Sequence, residues 1–114
     1  MFTQKHFSLQ AKALGSHVIP MCVERDWNAG GTMRWNLSAV DKFHRLGIFL
    51  VDFFRQDNPN FDLDKFNKKM IEHATVEITA LGYPHLLWDM PGIAIRGSKE
   101  PYNGHTFRAV HSHI

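Results

Sequence analysis

The chain has 114 residues, a length that one domain (1–114) fills and that hides roughly two thirds of its surface on folding. Its 44% hydrophobic content excludes a disordered chain, and its longest apolar run, GIFLV at 47–51, falls far short of the ~20 residues a membrane-spanning helix needs. A net charge of +2 without a clustered basic stripe does not announce a nucleic-acid binder, and a single cysteine, Cys22, excludes an internal disulfide and fits a reducing compartment.

The opening MFTQKHFSLQAKALG lacks the continuous apolar stretch of a signal peptide, so a cytoplasmic location is expected. Phe7, Ala11 and Leu14 recur at helical spacing behind a capping Thr3, which predicts a short helix over 4–14. Gly15 is placed to end that helix in a left-handed conformation. HVIPMCVERDW is strand-like in content, with Pro20 confining it to an edge or an extended segment. Cys22, between Met21 and Val23, reads as a buried, inert thiol. WNAGGTMRW then sets two glycines between two tryptophans. This is a turn pinned by Trp27 and Trp35, or a loop that offers them to a partner.

The strongest element is LSAVDKFHRLGIFLVDFFRQ at 37–56. Val40, Phe43, Leu46, Gly47, Leu50, Val51 and Phe54 lie on one wide helical face, which Ile48, Phe49 and Phe53 widen, and Asn36 or Ser38 can cap its start. Gly47 inside that helix implies a close contact with another backbone. Asn58-Pro59 stops the helix, because the residue before proline avoids the α region. A second helix starts at an Asp62 cap, with Phe61 and Phe66 at the positions of a hydrophobic staple. Its period runs on through Ala74, Ile78 and Leu81 to Gly82, although TVEITAL also alternates like a strand. Beyond Gly82, two prolines and short apolar runs predict extended segments, with GIAIR at 92–96 pairing HTFRAVHSH at 105–113 as a hairpin. The expected fold is α+β: a helix-rich single domain with a short C-terminal β-hairpin or sheet.

Three chemistries have candidate residues. His111 and His113 fall on one face of a predicted terminal strand, where imidazoles could hold a transition metal. Lys65, Lys68 and Lys69, with Lys42 and Arg45, could form a phosphate-contacting helix face. The tryptophans supply large, stiff contact area for a protein partner. DNPNFDLD lacks the Gly and terminal Glu of an EF-hand loop, and no catalytic or cofactor motif appears.

FLVDFFRQDNPNFDLDKF, with KHF at 5–7, resembles a pattern of small, mostly uncharacterised phage and prophage proteins, in which a helix runs into Asn-Pro-x-Phe-Asp-x-x-x-Phe and a second helix. That resemblance transfers no catalytic residue and no cofactor. It implies a non-enzymatic protein of the host cytoplasm that binds host machinery, such as a defence nuclease or nucleic-acid-binding effector, in the manner of anti-defence inhibitors that include anti-CRISPR proteins. The contacts expected on that reading are Trp27, Trp35, Trp88 and Tyr102. The alternatives are a small nucleic-acid-binding protein that uses the basic helix face, and a histidine-based metal-binding protein.

Overall fold

Helix α1 spans Gln4–Ala13, as its spacing predicts, with Thr3 as N-cap donating its backbone N–H to His6 Nδ1 at 3.0 Å. The computed structural model describes residues 1–97. Gly15 does not end the helix. The chain continues through a π turn at Leu14–Val18 and a 3-10 turn at Ile19–Cys22. The reason is tertiary. A Cβ on Gly15 would lie 2.1 Å from the backbone oxygen of Met70, so the turn crosses the later helix backbone to backbone. Ala11 and Ala74 are both fully buried, and the backbone of Ala74 lies beside the same crossing. Only Val23–Asp26 of the expected extended stretch is a strand, β1. Pro20 sits at the start of the 3-10 turn, where its missing N–H costs nothing.

β1 pairs antiparallel with β2 (Thr32–Trp35), from Val23 opposite Trp35 to Asp26 opposite Thr32. The five-residue connection is closed by Asp26, whose side chain accepts from Asn28 N–H and whose carbonyl accepts from Gly31 N–H. Gly30 and Gly31 supply the two positive φ angles (71° and 81°) that the reversal requires. This hairpin is the sheet of the protein among the described residues.

Helix α2 spans Leu37–Asp57, with the Asn36 side chain accepting from Ala39 N–H at 3.0 Å. Asn58 then turns the chain: its side chain accepts from Asn60 N–H and donates to the carbonyl of Phe2 at 2.9 Å, while Asp57 accepts from Phe2 N–H. The joint therefore also clamps the N-terminal arm. Helix α3 (Leu63–Ala80) follows, capped by Asp62 accepting from Lys65 N–H at 3.1 Å. The staple is present, with the rings of Phe61 and Phe66 5.5 Å apart. It opens an aromatic cluster in which Phe7 meets Phe61 at 4.7 Å and Phe54 meets Phe66 at 5.6 Å. TVEITAL is helical. α3 closes in a Schellman arrangement: Gly82 N–H donates to Thr79 O and Tyr83 N–H to Ile78 O, with Gly82 at φ 88°.

The expected C-terminal hairpin is overturned. Pro84–Ile93 winds through 3-10 turns, and residues 94–97 have no strand partner among the described residues; 105–113 lie outside them. The architecture is helix-rich, with its small antiparallel sheet at 23–35. GIAIR looks like a strand because Ile95 does need both backbone groups bonded, but a side chain supplies the bonds. Asn67 of α3 donates to Ile95 O and accepts from Ile95 N–H, both at 2.8 Å. The Ile95 side chain in turn fills the space over Gly47 of α2, where a Cβ would meet it at 2.6 Å. Gly47 thus accommodates a side chain, not the backbone that its position suggested.

Gly47→Ala should destabilise by about 1 kcal/mol in urea unfolding, because overpacking against Ile95 outweighs the helix-propensity gain. Gly15→Ala should cost more, since the atom it meets is backbone and cannot turn aside. Asn67→Ala should cost about 2 kcal/mol or more by leaving two buried backbone groups of Ile95 unbonded, whereas Lys68→Ala on the exposed face serves as a near-neutral control.

Candidate functional site

A cleft of about 670 Å³ lies where the hairpin, the start of α2 and the 3-10 segment Pro84–Ile93 meet. Alternation along the strands puts Glu24 and Asp26 of β1 beside Thr32 and Arg34 of β2. Arg34 bridges both carboxylates, with Nε donating to Glu24 at 3.0 Å and Nη1 to Asp26 at 2.9 Å. Glu24 also accepts from the Asn36 side chain at 3.0 Å, which ties the sheet to the cap of α2. From the other wall, His85 Nε2 lies 2.8 Å from the carbonyl of Met33. Asp89 lines the same cleft and is buried. Two carboxylates therefore share one guanidinium, and a third, Asp89, lines the same cleft.

The tryptophans separate. Trp27 is 79% exposed at the hairpin turn, with the Arg25 guanidinium 5.4 Å from its ring centroid. Trp88 is 88% exposed on the 3-10 segment Pro84–Ile93, and neither exposed indole lines the cleft itself. Each is the chain neighbour of a cleft carboxylate: Trp27 follows Asp26, and Trp88 precedes Asp89. Trp35 differs. It is 1% exposed and its indole N–H donates to Leu86 O at 3.3 Å, so it forms the cleft's base and is closed to a partner. β2 ends at Trp35 with its side chain turned to the core, which the turn-flanking position of the residue did not reveal. Tyr102 lies outside the described residues.

The basic residues do not form one patch. Lys65, Lys68 and Lys69 are exposed in the first turns of α3, beside the joint. Lys42 and Arg45 stand near the far end of α2, about 18 Å or more along the helix from that joint. Arg45 pairs with Asp41 at 3.1 Å. His111 and His113 fall outside the described residues, and among those described no group of three metal-ligating side chains converges. Cys22 is buried, its thiol directed at Val18 O at 3.7 Å, and burial pushes its pKa up. That holds it as the protonated, unreactive thiol at neutral pH.

The residues that sequence reasoning missed are Glu24, Asp26, Arg34, His85 and Asp89. Alternating charges in VERD and TMRW were a signal for the first three; the approach of His85 and Asp89 had none, since it spans more than fifty residues of chain for the His85–Met33 contact. No family model matches the chain, and no curated protein or solved structure matches it. Among the described residues, no helix is long and apolar enough to cross a membrane.

His44 lies away from the cleft, on the buried side of α2. Burial lowers its pKa from the ordinary 6.5, outweighing hydrogen bonds to the backbone of Gly92 and Ile93 and the attraction of Asp41, which act the other way. The folded state thus binds its proton less readily than the unfolded state does. The stability this neutral imidazole contributes is complete above pH 6.5 and is lost as pH falls through the lowered value. Thermal midpoints measured from pH 7.5 down to 5 should drop for the native chain, and His44→Gln should flatten that drop.

Proposed function

We propose that this is a non-enzymatic protein that binds another protein, with Trp27 and Trp88 as its anchors and the cleft between the hairpin and the 3-10 segment as part of its contact surface. The observation that carries this reading is the pair of largely exposed indoles, each next in the chain to a carboxylate that lines the cleft, so that they stand at its margins and not within it. Exposed tryptophan costs solvation free energy in the free protein, and a partner that covers it recovers that free energy with little loss of side-chain freedom. Glu24 and Asp26 outnumber the one Arg34 guanidinium that they share, which favours a partner segment that carries Lys or Arg, since complementary charge speeds encounter and fixes register. The resemblance to phage proteins supplies the setting: the partner would be host machinery, and the effect inhibition by occupation, as an anti-defence protein acts.

Affinity capture from host extract, with mass spectrometry, tests this reading. The native chain should retain a protein that the Trp27→Ala/Trp88→Ala variant loses, by roughly a hundredfold in affinity. The thermal midpoint of the variant should stay near the native one, because both indoles are already in solvent. Retention should also weaken as salt rises. Equal capture by native and variant chains would remove the cleft from the contact surface.

A further inference from the structure

A second surface stands apart from the cleft, on α2. Leu46, Phe49 and Phe53, which the helical pattern assigns to the apolar face, are instead at least half exposed, with Phe49 75% exposed and only Phe53 in ring contact among the described residues, at 5.8 Å from Phe2. They follow one another by three and then four residues, the spacing of a coiled-coil seam, and they face away from the buried stripe of Val40, Phe43, Gly47, Val51 and Phe54. Lys42 precedes this seam by one more step of four, and Gln56 follows it by one more step of three. Arg45 and Asp52 flank it.

We infer that this seam is a docking surface for a second copy of the chain, with the two α2 helices antiparallel about a twofold axis near Phe49. The charges decide both the occupant and the direction. A parallel pair would set Lys42 against Lys42 within the seam. The antiparallel pair sets Lys42 opposite Gln56 of the second copy, and brings Arg45 toward Asp52 of the second copy, twice by symmetry. Both groups already have interactions within their own chain, Arg45 with Asp41 at 3.1 Å, and the second copy adds to these without replacing them: the Arg45 side chain is 76% accessible and Asp52 is half-exposed. Phe49 meets its own counterpart at the centre, where burial of aromatic side chains dominates association.

Sedimentation equilibrium of the full chain over a concentration series tests the proposal. A dimer is expected, and Phe49→Glu should raise the dimer dissociation constant at least tenfold with an unchanged helical circular-dichroism spectrum. Arg45→Glu and Asp52→Arg should each weaken the dimer, and the two together should restore it. A native chain that stays monomeric overturns the proposal. So does a monomer whose thermal midpoint falls on Phe49→Glu, because the seam is then covered by the chain's own residues. A dimer indifferent to Phe49→Glu places the contact elsewhere, and failure of the charge swap to restore association overturns the antiparallel arrangement.

Discussion

The crossing of Gly15 over Met70 is the contact on which the rest of the structure depends. A hydrogen atom is the largest side chain that fits between these two backbones. With it, the π turn lies flat on α3, and the 3-10 turn at Ile19–Cys22 delivers the chain to the start of β1. The bond from Asn36 N–H to Cys22 O then places α2 relative to that turn. The hairpin, and the acidic wall that it contributes to the cleft, are downstream of a glycine that carries no chemistry of its own.

A second constraint closes the opposite side. Segment 93–97 threads between α2 and α3, locked by Asn67 at its backbone and by Gly47 beneath the Ile95 side chain. Both arrangements exchange a generic preference for a specific contact. Gly47 gives up helix propensity to admit a branched side chain, and Asn67 supplies hydrogen bonds that a neighbouring strand would otherwise provide. The aromatic cluster around Phe54, Phe61 and Phe66 then joins the two long helices at the joint, and Asp57 and Asn58 fasten the N-terminal arm to the same place.

These two frameworks present unlike surfaces. The hairpin and the 3-10 segment each carry an exposed indole next in the chain to a carboxylate that lines the cleft. The outer face of α2 carries a short apolar seam bounded by charges of both signs, a combination suited to itself. Neither surface requires the other, because the core stripe of α2 lies between them and is satisfied from within the chain.

Where the information was local, the amino-acid sequence by itself determined the structure. Asn36 and Asp62 cap their helices because a short polar side chain reaches free N–H groups two or three residues ahead, and Phe61 and Phe66 staple because their spacing brings them together on any helix that starts at Asp62. The Gly82 stop and the burial of Cys22 were legible for similar reasons. What only the tertiary structure decided was everything set by residues distant in the chain. Gly15 reads as a helix terminator until Met70 arrives, and GIAIR reads as a strand until Asn67 bonds it. Trp35 reads as a shoulder of a turn until Leu86 covers it, and the carboxylate of Asp89 has no meaning until the hairpin stands opposite. Local pattern reports what a backbone prefers; close packing and buried hydrogen bonds, each worth more than those preferences, report where it finally goes.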